Sequence, residues 1–175
     1  MTTPVVITFI GRDRPGLVNA ISEKVATFDG TWLESRLARL AGEFAGILLV
    51  GIADENIAGL TAALHELEAA GLRVAIERSS SGEAPTNHKI VKLELIGSER
   101  PGIVREVTQA LTELGVNIEE FHSSIEGAPF SGEEMFRAAA RLRMPDTLAN
   151  DDLRKTLERL AGEIMVDIAV TAHEP

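Results

Sequence analysis

The sequence predicts an α+β protein made of two tandem βαββαβ modules, each an antiparallel sheet carrying two helices. Three observations predict it. The stretch Gly11-Arg12-Asp13-Arg14-Pro15-Gly16-Leu17-Val18 returns 86 residues later as Gly97-Ser98-Glu99-Arg100-Pro101-Gly102-Ile103-Val104. Each copy follows an apolar strand-like run and opens the same helical stripe, at Leu17, Ile21, Val25 and Phe28 and again at Ile103, Val107, Leu111 and Leu114. Between the copies, residues 79–87 (Ser-Ser-Ser-Gly-Glu-Ala-Pro-Thr-Asn) have the composition of a linker.

The elements of the first module follow in order. Val5 to Ile10 is β-branched and apolar, a strand. Pro15 suits the first turn of a helix, where its missing N–H costs nothing. Asp29-Gly30 ends that helix. Thr31 to Leu40 reads as a second strand, Ala41-Gly42-Glu43 as a hairpin turn, and Phe44 to Ile52 as a third strand, almost wholly apolar and therefore central. Asp54 or Asn56 can cap a second helix with its stripe at Ile57, Leu60, Leu64 and Leu67, stopped by Gly71. Leu72, Val74 and Ile76 alternate along a fourth strand.

The second module repeats this order. Val91, Leu93 and Leu95 alternate with Lys92 and Glu94, and Gly115-Val116-Asn117-Ile118 ends a helix and begins a strand. A longer hairpin, Gly127 to Glu133, contains Phe130. Met135 to Met144 is a strand. Asn150 or Asp151 caps a helix with Leu153, Leu157 and Leu160, stopped by Gly162, and Ile164 to Val170 is the last strand. A period this long suits whole domains rather than a solenoid. The expected layout is a first module over 1–80, a linker over 81–88 and a second module over 89–175. Each βαββαβ unit is a ferredoxin-like arrangement. Its bare sheet face and edge strands want cover, so the two units are expected to pair.

Composition narrows the function. The apolar content of 45% is that of a globular protein, and the chain has no cysteine. Disulfides, thiolate metal sites and thiol catalysis are excluded. No run approaches a membrane span and no signal peptide is apparent, so the expected location is cytoplasmic. The net charge is −10 and neither half is basic, which sets the overall field against a phosphate backbone. No direct nucleic-acid binding is expected.

At a helix start the first backbone N–H groups lack internal partners and attract carboxylate or carbonyl oxygens. Pro15 and Pro101 stiffen the turn, while Gly16 and Gly102 remove a side chain that would block close approach. Asp13 and Glu99 can accept hydrogen bonds from an ammonium group. Such a turn can hold both ends of an amino acid; the bland alternative is a well-made helix start and no more.

The pattern Gly-x-[Asp/Glu]-Arg-Pro-Gly-[Leu/Ile]-Val, then Gly-Val-Asn-Ile, in a βαββαβ frame resembles the ACT domain, a module that senses small molecules, often amino acids. Two such domains with almost nothing else resemble the glycine cleavage system transcriptional repressor family, as does Trp32-Leu33-Glu34-Ser35-Arg36-Leu37-Ala38 followed by Ala41-Gly42-Glu43-Phe44-Ala45-Gly46. The resemblance implies effector binding at the strand-to-helix loops, between two domains. By position the residues are Asp13, Pro15, Gly16 and Leu17 in the first copy, and Glu99, Pro101, Gly102, Ile103, Val104, Asn117 and Ile118 in the second. Thr31 stands where the first copy would have its asparagine, so the second copy is expected to be the better site. The implied function is non-enzymatic: an amino acid such as glycine is sensed, and glycine cleavage genes are repressed through contact with an activator protein. The alternative is an amino-acid-responsive regulatory subunit of a metabolic enzyme. No cofactor is expected, and association of copies stays open.

Other features carry less. Arg137, Arg141 and Arg143 share one strand face near Lys92, either as a solvated face paired with Glu94 or Glu119 or as a docking face for an acidic partner. The loop holding Phe130 is a candidate partner contact. Trp32 belongs either to the core or to a junction between the modules. His65, His88, His122 and His173 lack metal spacing. Ser123-Ser124 lack a nucleophile elbow, and Glu119 and Glu120, as strand neighbours, are expected on opposite faces.

Overall fold

A computed structural model describes residues 2–79, 88–127 and 133–172. The first module runs β1 (Thr2–Arg12), α1 (Leu17–Thr27), β2 (Thr31–Leu40), β3 (Glu43–Ala53), α2 (Asp54–His65), a short 3-10 turn (Glu66–Ala70) and β4 (Leu72–Arg78). The second runs β5 (Lys89–Ser98), α3 (Ile103–Glu113), β6 (Asn117–Gly127), β7 (Glu134–Met144), α4 (Asn150–Ile164) and β8 (Val166–Ala172). Both sheets are antiparallel, in the orders β2-β3-β1-β4 and β6-β7-β5-β8. The predicted fold class, two tandem ferredoxin-like βαββαβ units, is the one observed, and β3 is an interior strand as its apolar run implies. The chain divides into compact units over Met1–Gly82 and Glu83–Pro175.

Alternation along the strands decides which face carries the helices. On β1, Val5, Ile7 and Phe9 are buried, and on β3, Leu48, Val50 and Ile52; they meet Leu17, Ile21 and Val25 of α1 and Leu60 and Leu64 of α2 in one core. The second core repeats it with Val91, Leu93 and Leu95, with Phe136 to Met144 in alternation, and with Ile103, Val107, Leu111, Leu153 and Leu157 from the helices. Trp32 packs against the first module's own core. No buried polar or charged residue occurs among the described residues, so burial of apolar surface, at about 25 cal/mol per Å², supplies the driving force in each unit.

Several local expectations are corrected. The first helix begins at Leu17, so Pro15 lies in the turn before it rather than in its first turn. Asp29-Gly30 does end that helix, with Asp29 rather than the glycine in the left-handed region (φ 53). Gly30 is small because a Cβ there would come within 3.0 Å of the Val25 carbonyl oxygen. Helices α2 and α4 are preceded by Ala53 and Ala149, with no side-chain cap; Asn56 instead donates to the Phe28 carbonyl at 3.1 Å. Gly162 lies inside α4, which ends after Ile164 at Met165 with φ 54. Glu119 and Glu120 do not part to opposite faces, because the β6–β7 register shifts between Ile118 and Glu120 and both carboxylates reach Arg141. Phe130, His173 and most of the expected linker lie outside the described residues.

Gly11 shows how tightly the end of β1 is packed. A Cβ there would stand 2.7 Å from the Gly71 carbonyl oxygen and 3.2 Å from the Leu72 Cα, both backbone atoms that cannot swing aside. Gly11→Ala is therefore expected to destabilise the first module by about 1–3 kcal/mol. Urea unfolding checks this; an unchanged midpoint would show that the strand end can shift at no cost.

Candidate functional site

The two turns have the same backbone. Asp13 N–H donates to the Gly42 carbonyl at 2.9 Å, and Glu99 N–H to the Glu134 carbonyl at 2.9 Å, so each acidic residue is tied to the hairpin beside it. Gly16 (φ 93) and Gly102 (φ 100) then take a left-handed conformation immediately before the helix. The first helical donors are Ala20 to the Gly16 carbonyl and Glu106 to the Gly102 carbonyl. The N–H groups of Leu17, Val18 and Asn19, and of Ile103, Val104 and Arg105, precede them and have no place in the helical ladder.

The reason for glycine differs from close approach alone. A Cβ at Gly16 would meet nothing within 4 Å, and one at Gly102 only Glu106 Oε1 at 3.7 Å. The positive φ is what selects glycine at both positions, and it leaves open space in front of the helix start.

Side chains separate the two turns. Leu17 and Ile103 are core residues, 5% and 2% exposed, so each offers a ligand only its backbone N–H. Pro15, Gly16, Pro101, Gly102 and Val104 are exposed. In the first turn Asp13 is engaged: Arg39 Nε lies 2.6 Å from its Oδ2. Arg14 reaches the Ala70 carbonyl at 3.1 Å. In the second turn Arg100 pairs with Glu106 on the following helix, and Glu99 has no side-chain partner among the described residues. Register explains the contrast. Arg39 lies across from Phe44, which faces Gly11; the corresponding trio is Ile125, Phe136 and Gly97. An isoleucine stands where the first module has its arginine, and it cannot hold Glu99.

Asn117 and Ile118 are not brought to the turn of their own module. Asn117 faces Arg143, which faces Ile90 near the start of β5, whereas the turn follows Ser98 at that strand's end. Eight residues of strand, about 26 Å, separate the two levels. Thr31 holds the corresponding place in the first module, opposite Gly51. The two turns thus differ in that Glu99 is unengaged where Asp13 is held, because Ile125 stands in the place of Arg39 and not because an asparagine stands behind the second turn. Sequence reasoning missed Arg39 and Ile125, since their relation to the turns emerges only from strand register. Among the described residues no group of three or more His, Asp or Glu side chains is placed to hold a metal, and no helix is long and apolar enough to cross a membrane.

Family models of the ACT domain match residues 3–77 and 91–162. The chain consists of two ACT domains in tandem. The glycine cleavage system transcriptional repressor of Escherichia coli (strain K12) is 29% identical over 125 residues, 70% of this chain and 65% of that protein. Phosphoserine phosphatase SerB2 of Mycobacterium tuberculosis is 32% identical over 178 residues, 95% of this chain and 40% of that protein. The chain thus spans somewhat less than two thirds of the repressor it matches and well under half of the phosphatase. Among solved structures, a protein of unknown function from Galdieria sulphuraria superposes with TM-score 0.89 at 29% identity, covering 99% of this chain and all of that one. A structure provisionally assigned as a glycine cleavage system transcriptional repressor superposes with TM-score 0.73 at 20% identity over 100% of this chain and 99% of that one, and shares the fold.

Left-handed backbone costs about 1–2 kcal/mol for a residue with a Cβ. Gly16→Ala is expected to lower stability by that amount, although it touches nothing. Thermal unfolding checks it; a neutral or stabilising change would show that the turn relaxes to negative φ without loss.

Proposed function

We propose that this tandem ACT-domain protein is a non-enzymatic sensor of a small amino acid, and that the second turn, Glu99 to Val104, is its working site. The observation that carries this is the pairing of an unengaged acidic side chain, Glu99, with a helix start held open by left-handed Gly102. The ligand carboxylate takes the N–H groups of Ile103 and Val104, and the ligand ammonium takes Glu99. Pro101 stiffens the approach. At the first turn Asp13, Pro15, Gly16 and Leu17 have the same layout, but Arg39 already holds Asp13, so that turn serves structure before ligand.

The homology to the repressor supports an output in gene control: repression of glycine cleavage genes, with glycine as effector and a DNA-bound activator as protein partner. The net charge of −10 favours that indirect route over DNA contact, and a cytoplasmic location follows from the role. A second reading is supported by the phosphatase match, which spans 95% of this chain: two ACT domains acting as a regulatory subunit for a metabolic enzyme. Affinity capture from native extract separates the two. Recovery of a transcription factor supports the first; recovery of an enzyme overturns it in favour of the second.

Calorimetric titration with a panel of amino acids is expected to show saturable binding, and no binding at millimolar concentration would contradict sensing. Gly16→Val and Gly102→Val impose the same backbone strain, so comparing them isolates ligand access. Gly102→Val is expected to weaken binding about tenfold or more, the scale of one lost charge-assisted interaction, and Gly16→Val to leave it near wild type. Equal effects would contradict the inequality of the turns. Arg39→Ile, which gives the first turn the residue found at the second, is expected to release Asp13 and add a further, weaker event absent from the wild type.

A further inference from the structure

The outer sheet faces, turned away from the helices, differ in chemistry at matching positions. In the first module Val6 faces Leu49 and Thr8 faces Ile47. In the second the same pairs are Lys92 with Arg141 and Glu94 with Ala139. The central isoleucine of the first sheet is thus reduced to a methyl group at Ala139. The space it vacates is a depression of about 230 Å³ lined by Lys92, Glu94, Glu120, His122, Ala139 and Arg141.

The charges on this face are mostly committed. Arg137 pairs with Glu126 at 3.2 Å, and Arg143 with Glu119 at 3.5 Å. Arg141 pairs with Glu119 at 3.1 Å and with Glu120 at 3.3 Å. The strip is therefore neutralised by three glutamates, which removes the docking of an acidic partner as its purpose. On β5, β6 and β7 of this face, only Lys92 and Glu94 among the described charged side chains lack a partner, and His122 also has none. All three border the depression. Lys92 and Glu94 stand two residues apart on one strand, about 6.6 Å, yet do not pair with each other.

We infer that this depression is a second ligand site, separate from the turns, and that it takes a small zwitterion of the α-amino-acid class. A ligand carboxylate meets the Lys92 ammonium, a ligand ammonium meets the Glu94 carboxylate, and the substituent lies over Ala139 with His122 as a further hydrogen-bonding edge. A simple anion would face Glu94 and Glu120, and a simple cation would face Lys92. Only a molecule carrying both charges satisfies both unpaired groups at once. Each contact is weak on an open surface, so the site reads concentrations in the range of a free metabolite pool rather than trapping a scarce ligand.

The test is a titration of the full-length, isotope-labelled chain with glycine and L-alanine, followed by amide NMR at Lys92, Glu94 and Ala139. Acetate and methylammonium serve as one-charge controls. Both amino acids are expected to shift these amides saturably and the controls are not. Lys92→Met and Glu94→Gln are each expected to weaken the titration about tenfold. Ala139→Ile, which restores the residue of the first sheet, is expected to abolish it, and Gly102→Val to leave it intact. Shifts at Gly102 and Ile103 with none at Ala139 would overturn this inference and leave the turn site standing. Shifts at Ala139 alone would do the reverse. A response to acetate equal to that of glycine, or one that survives Ala139→Ile, would also overturn it.

Discussion

Everything in this protein hangs on the antiparallel pairing of the two middle strands of each sheet, β1 with β3 and β5 with β7. The full-length ladders, Thr2 to Arg12 against Ala53 to Glu43 and Lys89 to Ser98 against Met144 to Met135, fix which side chains face the helices and which face away. A one-residue slip in either ladder would turn that unit's core residues to the outer face. The same ladders bring the end of β1 beside the β2–β3 hairpin and the end of β5 beside the start of β7. There the backbone of Asp13 and Glu99 is tied down and the helix start is aimed. The turns are geometrically alike because the ladders are alike.

Duplication preserved that frame and let side chains diverge on it. At the turns, one cross-strand position decides the matter: Arg39 holds Asp13 in the first module, and Ile125 leaves Glu99 unengaged in the second. The Arg39–Asp13 pair is exposed and contributes little to stability. Its effect is to occupy an acceptor. On the outer faces the divergence is wider. Leu33, Ile47 and Ile10 give the first sheet an exposed aliphatic surface, while the second carries ion pairs around Ala139. Two copies of one frame thus present unlike surfaces.

Much of this was legible from sequence. Strand alternation, the two helical stripes and the repeated turn carried the fold class and nearly every element, because burial on a period of 2 or 3.6 leaves a direct trace in residue type. What failed to show were features set by pairing between distant segments. The bulge that brings Glu119 and Glu120 together on Arg141 has no local signature. Asn117 follows its helix closely in sequence but lies a strand's length from its own turn, because α3 carries the chain back to the far end of the sheet. The end of α4 was misjudged, because Met165 takes the left-handed backbone that glycine would ordinarily supply. Leu17 and Ile103 were grouped with the site by their motif, and their side chains belong to the cores.

The proposed sensing requires that two turns of one backbone shape differ in availability to a ligand. Amide NMR of the labelled wild-type chain during a glycine titration tests it most directly, since both turns report in one spectrum. Saturable shifts are expected at Gly102, Ile103 and Val104, with Gly16, Leu17 and Val18 unmoved. Equal shifts at both turns, or shifts at the first alone, would contradict it.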